Sequence, residues 1–415
     1  MATQTSNFNF IKPDVNDFYN VAVQNENWEK IDAILKNNGI KDNGSSQGYR
    51  KMTAVIDLSN SNPDTCVAYA DDAVSMTPGS SEWDEFFGHY PVLFKNGVEV
   101  GKLNPDNFDQ FEDGTTADIM SGDAGDAMIC FPKRGVKITT NGTTLTVSMT
   151  DDPDDGEFEY YAHTRGEVAK DEFYIGAYKG HLPTSSKLRS LKGQNVAIYK
   201  EIGAFRTYAQ SNGEGYDQWG FYQLTFMQVM FILKYKTLNS QSKVGKGCIN
   251  STSMISKTGG TEDWGMDSEI KIQSDNTHLA KIDRHMKCFG IEDFWGNVLE
   301  FIDGIVSGSS REVLTATDEF NDYGYGYSNH GNGGVTDDIR GWMTKPMGTT
   351  ESGFVAKEVW GSETTYFCNM ASIDDNKVAI FGGHYSSGTS GIFSLSIEST
   401  IDANSQIIGA RLMYL

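Results

Sequence analysis

Between Cys288 and Gly304 the chain reads CFGIEDFWGNVLEFIDG, and this stretch restricts the possible folds more than any other. Phe294, Trp295, Val298, Leu299, Phe301 and Ile302 supply an apolar ridge in which Asn297 and the acids Glu292, Asp293, Glu300 and Asp303 are interspersed. Such a mixture cannot be a free surface loop. Gly290 and Gly296 relieve backbone crowding beside the large rings, Asp303-Gly304 predicts a tight turn, and Trp295 is the expected core anchor.

At 415 residues the chain can bury a sizeable core and is long enough for two or three domains. Its 44 glycines and 12% aromatics predict loop-rich β structure with large ring anchors. With 34 basic against 56 acidic residues the net charge is −22, which excludes a general nucleic-acid-binding surface, because phosphate contacts need concentrated Lys and Arg. Cys66, Cys130, Cys248, Cys288 and Cys368 are scattered, with no CxxC pair, so buried free thiols are expected and no metal site or cofactor. The first residues, MATQTSNFNF, lack the basic and apolar regions of a signal peptide, so synthesis in a bacterial cytoplasm is expected. QWGFYQLTFMQVMFILKY, from Gln218 to Tyr235, carries no charge before Lys234 and is too short to cross a membrane. It reads as a buried helix, and no membrane insertion is expected.

The first forty-five residues stand apart. Phe8 and Phe10 belong to an extended arm ending at Pro13, and Val21, Gln24, Trp28, Ile31 and Leu35 recur at helical spacing before Asn37, Asn38 and Gly39. That seam is too short to be stable alone and predicts a particle-attachment and self-association element, formed by Phe8, Phe10, Val21, Trp28, Ile31 and Leu35. The hydrophilic KDNGSSQGYR follows as a linker. Met52 to Leu58 and Pro91 to Val100 read as strands, the latter turning at Asn96-Gly97. Gly135 to Thr150 reads as a hairpin turning at Asn141-Gly142, and Phe173 to Tyr178 as a further strand. The acidic DDPDDGE at 151–157 lacks the spacing of a calcium loop and reads as a solvated turn. Ser251 to Tyr366 reads as mostly loop.

The Trp-Gly-Asn-Val segment at 295–298, followed by FGGHYSSGTSGIFSL at 381–395 and IIGARLMYL at 407–415, resembles the C-type-lectin-like domain found in formylglycine-generating enzymes and in phage receptor-binding proteins. FNFIKPDVNDFYNVAVQNENWEKIDAIL resembles the attachment segment of phage tail fibre and tail-tip proteins. The resemblance implies an α+β chain: a short N-terminal helical anchor (1–45), a β-rich intermediate region (50–165) and a C-terminal C-type-lectin-like fold with irregular loops (166–415). It implies a receptor-binding protein of a phage tail or tail-like particle, a homotrimer that joins other tail or baseplate proteins through its N-terminus and a host surface glycan or protein through its C-terminal domain.

The run GHYSSGTS, Gly383 to Ser390, is similar to the variable region of lectin-like proteins diversified by retroelements. That likeness makes His384, Tyr385, Ser387, Thr389 and Ser390 the expected receptor contacts, with Phe393, Gly409 and Arg411 as scaffold. Tyr325, Tyr327, His330, Trp342 and Trp360, rings in loop-like sequence, are the expected neighbours able to stack on a sugar. Catalysis is not expected. Cys368 has no second Cys within a few residues, as copper-dependent cysteine oxidation would need, and GxSxG, HExxH and GxxxxGK[ST] are all absent. The alternatives are a tail-associated polysaccharide or cell-wall hydrolase, for which only Glu82, Asp84 and Glu85 around Trp83 offer paired acids, and a purely structural baseplate component.

Overall fold

The computed structural model describes residues 3–4, 11–12, 30, 48–183, 186–249, 255–268, 285–334, 340–388 and 390–415. Residues 1–50 and 51–415 form two compact units. In the first, Thr3–Gln4 pairs antiparallel with Ile11–Lys12. Phe8, Phe10, Val21, Trp28, Ile31 and Leu35 lie outside the described residues.

Three larger sheets build the unit 51–415. The first has the order Val67–Asp71, Lys51–Asp57, Thr144–Thr150, Gly135–Asn141 and is antiparallel throughout. Alternating apolar residues explain it: Met52, Ala54 and Ile56 are buried, and each faces a buried apolar partner in register, Met149, Val147 and Leu145. The expected hairpin forms here, although its central pair is Gly142-Thr143, since Asn141 still pairs with Thr144. Gly142 takes φ 61°, as the first central position of this turn requires.

The second sheet runs Tyr216–Gln218, Leu412–Tyr414, Glu172–Gly176, Asp126–Pro132, Tyr90–Lys95, Val98–Asn104, Asn107–Phe111. It therefore takes strands from both sides of residue 165. Asn96 and Gly97, at φ 52° and 79°, make the predicted two-residue turn. Register sets one row of residues side by side across five strands: Tyr216, Tyr414, Tyr174, Cys130 and Tyr90. The terminal strand, Leu412–Tyr414, thus lies inside this sheet, away from the linker-proximal strand Lys51–Asp57.

The third sheet is mixed, in the order Ser328–Asn332, Glu312–Thr315, Leu299–Ser307, Val378–Phe381, Leu395–Ser399, Met370–Ile373, Arg340–Trp342, with Ile408–Gly409 parallel to Leu299–Ser307. The helix Phe221–Tyr235 is buried along all its 15 residues. It packs on Lys51–Asp57 and Thr144–Thr150 of the first sheet and on Leu299–Ser307 of the third. Phe226 meets Phe131 and Phe173 of the second edge-on, at centroid distances of 6.3 and 5.4 Å. A helix touching three sheets has no face left for charge, and its one cation, Lys234, is neutralised by Asp84 and Asp267, both 2.6 Å away. Burial opposes the charged form of Lys234, but these two carboxylates outweigh it and keep the amine protonated.

Two expectations are corrected. The α+β class with a helical anchor does not hold: the described residues are mainly β, 34% strand against 13% helix, in several sheets. The cause lies in the region read as loop. Glu312–Thr315 and Arg340–Trp342 are short strands lying among glycines and acids, and Ser328–Asn332, SNHGN, has little strand propensity of its own and is extended because Glu312–Thr315 pairs with it. Nor does Asp303-Gly304 make a tight turn. It lies within the strand Leu299–Ser307, at an irregularity between Ile302 and Val306. Gly304, at φ 73°, is needed there because a Cβ would stand 2.9 Å from Ala316 O. Asp303 instead takes Arg206 through two 2.7 Å bonds, and Gln218 Nε2 through a third.

Candidate functional site

The segment from Cys288 to Asn297 is held in a conformation few sequences tolerate. Phe289, Gly290, Asp293, Gly296 and Asn297 all have positive φ, between 48° and 84°. Buried polar bonds hold them there. Phe289 N–H donates to Asp267 Oδ1 at 2.7 Å. Asn297 donates its backbone N–H to Cys248 O at 2.8 Å and Nδ2 to Asp293 Oδ2 at 2.9 Å, while its Oδ1 accepts from Ser256 N–H at 2.9 Å. Beneath them lies a sealed charge set. Lys179 Nζ reaches Glu300 Oε2 at 2.8 Å, and Arg411, fully buried, bonds Glu300 and the carbonyls of Gly176, Glu292 and Asp293. Burial pushes the Lys179 amine below its usual value, with Glu300 opposing that shift and the Arg411 guanidinium adding to it. Arg411 is thus the scaffold residue expected.

The predicted contact loop sits directly on this segment. Gly296 N–H donates to Gly382 O at 2.8 Å, Tyr385 N–H to Asn297 O at 3.0 Å, and Gly388 N–H to Ile249 O at 2.7 Å. A Cβ on Gly382 would stand 3.3 Å from Trp295 Cα, and one on Gly383 would overlap Ser390 Oγ, so the Gly-Gly pair is what allows the loop to lie flat on the tryptophan. The outer side is small and polar. His384 and Tyr385 are half-buried, with rings edge-on at 5.5 Å, and Ser386 is exposed. His384 Nδ1 lies 3.3 Å from Ser386 Oγ, and partial burial lowers the proton affinity of the imidazole. Ser387 Oγ donates to His384 O and meets Ser390 Oγ at 2.8 Å. Ser390, expected to project outward, is buried, and its carbonyl accepts from Gln241 Nε2. Thr389 lies outside the described residues.

The other expected contacts fall into two further places. Tyr325, 76% exposed, stacks on Tyr323, 60% exposed, with centroids 5.5 Å apart, beside the edge strand Ser328–Asn332. Tyr327 turns inward, its hydroxyl accepting from Asn321 N–H at 2.9 Å, and His330 Nε2 is tied to Thr315 Oγ1 at 2.8 Å. Trp342 and Trp360 lie at the other end of the strand order, where Gly361 N–H reaches Trp342 O at 3.0 Å and Trp360 is 71% exposed. Met343 N–H reaches Asn369 O, and Asn369 Oδ1 accepts from Phe393 N–H, which links this edge to the end of the contact loop. Tyr323, Ser386, Ser256 and Gln241 were missed. Tyr323 shares its aromatic-glycine run with Tyr325 and could have been found; Ser256 and Gln241 act through tertiary contacts that no local pattern announces.

Among the described residues, two sets of side chains could present ligand atoms to a metal, each set within 4.8 Å: His285, Glu292 and Asp293, and Glu99, Cys130 and Glu172. Both sets already have protein partners. Glu292 accepts from Gly259 N–H, Gly260 N–H and Thr261 Oγ1, while Asp293 accepts from Asn297 and pairs with His285. Tyr90 and Tyr174 donate their hydroxyls to Glu99.

No known family model matches the chain, and no curated protein matches it either.

Proposed function

We propose that this chain is a receptor-binding protein of a phage tail or tail-like particle, which contacts a host surface glycan or protein through the loop 382–390. One observation carries the reading: the backbone of this loop is fixed from behind by Trp295, Gly296 and Asn297, while His384, Tyr385 and Ser386 are left accessible on its outer side. A pinned backbone bearing Tyr, Ser and Gly gives contact area and adaptable hydrogen bonds at little entropy cost, the combination a recognition surface needs. Exposed rings at Tyr325 and Trp360 add stacking platforms on the same unit. The resemblance of the N-terminal arm to tail attachment segments supports a place in a particle.

Replacing His384 and Tyr385 together with Ala tests this. Adsorption of particles to host cells is expected to be lost while the melting temperature and particle assembly stay unchanged. Normal adsorption by the double variant would place the receptor contact elsewhere.

A further inference from the structure

A second site, which shares no lining residue with this loop, lies at the Tyr216–Tyr414 end of the tyrosine row. A cleft of about 540 Å³ opens between the Asn96-Gly97 turn, Arg165, Val168 and Lys170, the residues Asn212 to Glu214, and the terminal Tyr414 and Leu415. Its size is in the range of small-molecule sites, roughly 300–1,000 Å³. The floor is a built aromatic surface. Tyr414, half-exposed, meets Tyr216 edge-on at 5.0 Å and rests on Phe94 at 4.9 Å. Two glycines at positive φ close on this ring. A Cβ at Gly97 would stand 3.0 Å from Tyr414 Oη, and one at Gly215 would stand 2.6 Å from Cε2. Gly97 N–H donates to Tyr216 Oη at 3.2 Å, which fastens the turn to the floor. The ring is thus immobilised before anything binds.

The rim shows which chemistry fits. Arg165 is engaged by Asp217 at 2.9 Å, Asp318 at 3.1 Å and the carbonyls of Gly215 and Leu415, so it acts as a wall. Lys170 and Glu214 are exposed, have no ion-pair partner among the described residues, and carry opposite charges. No excess cation remains to select a phosphate or carboxylate. Asn96 adds an amide, and Asn212, whose Nδ2 donates to Leu188 O and Ala209 O, adds its amide oxygen. A half-exposed tyrosine ring bordered by an amide, an amide oxygen, a carboxylate and an ammonium suits a neutral pyranose, whose C–H groups pack on the accessible part of the ring while its hydroxyls take the rim donors and acceptors.

We propose that this cleft binds a neutral hexose unit of an oligosaccharide. The site is independent of the loop 382–390 and of what that loop contacts.

The test is an array of defined neutral bacterial oligosaccharides probed with the full chain, with Lys170→Ala/Glu214→Ala, and with His384→Ala/Tyr385→Ala. Both rim residues are exposed, so the first variant should melt like the parent. The full chain should bind at least one hexose-containing glycan, and the rim variant should bind it roughly tenfold more weakly, the effect of about two lost hydrogen bonds. The loop variant should bind that glycan as the parent does. Absence of binding on the whole array, or binding that the rim variant leaves intact, overturns the cleft site. A signal lost only in the loop variant does so too, while supporting the receptor reading of the loop.

Discussion

Asn297 joins the two stretches that were matched in the sequence before anything showed that they touch. Its φ of 65° is tolerated by Asn better than by most residues, its side chain bridges Asp293 and Ser256, and its carbonyl holds Tyr385. Asn297→Ala should cost roughly 2–4 kcal/mol in urea unfolding, from left-handed strain plus unsatisfied buried partners. Asn297→Gly keeps the second cost and removes the first, so it should be the milder of the two; equal losses would show that strain is not part of the account. His285 supplies the pH dependence. Burial alone would lower its affinity for a proton, but Asp293 and Glu292 outweigh burial and hold its pKa up at about 9 against 6.5. The folded chain therefore keeps a proton that the unfolded chain releases, and this stabilisation is whole below pH 6.5 and is lost as the pH rises to 9. It amounts to a loss of about 3 kcal/mol by pH 9. His285→Gln should flatten the fall in melting temperature between pH 6.5 and 9, and an identical slope in both proteins would remove His285 from the explanation. His163 has the opposite sign: buried and neutral, with its pKa lowered to about 3, it loses stability as the pH falls below 6.5. The anchor Trp295 was legible because a large ring among apolar residues has few places to go. The inward turns of Ser390 and Tyr327 were not, since both depend on neighbours reached only after folding.

At the scale of elements, legibility followed local signal strength. Asn96-Gly97 and Gly142 declare their turns through backbone conformations that few residues accept, and an uncharged run of sixteen residues, Gln218 to Leu233, declares a buried helix. Ser328–Asn332, of sequence SNHGN, declares nothing; its extension is imposed by Glu312–Thr315 beside it. The helix Phe221–Tyr235 is where the sheets depend on one another. Phe226→Ala should cost about 3–5 kcal/mol, the usual range for emptying a buried phenylalanine site, because Phe131, Phe173 and His163 surround the ring and cannot all collapse inward. A loss below about 1 kcal/mol in chemical denaturation would mean that the site relaxes freely and that the helix is not the common support of the sheets.

For the whole molecule, residues 51–415 form a compact unit distinct from 1–50, so removal of the first segment should leave the body intact. With the attachment role proposed for that segment, the full chain should sediment as a trimer, and a chain lacking residues up to Gly44 as a folded monomer that no longer joins the particle. A monomer both with and without the segment at micromolar concentration would count against trimerisation. The pairing of Tyr414 with Tyr174 and Tyr216 has a separate consequence, for the rate at which the fold is reached. The contact with Tyr174 closes a loop of more than half the chain. Its equilibrium cost is small, since each doubling of loop length adds only about 0.6 kcal/mol, but its kinetic cost is large, because distant strands must find each other by diffusion. Until they do, Glu172–Gly176 and Tyr216–Gln218 each present an unpaired edge to any neighbouring chain. Refolding from denaturant should therefore be slow and its yield should fall with protein concentration, so a cell that makes many copies at once has reason to keep the half-folded chains apart.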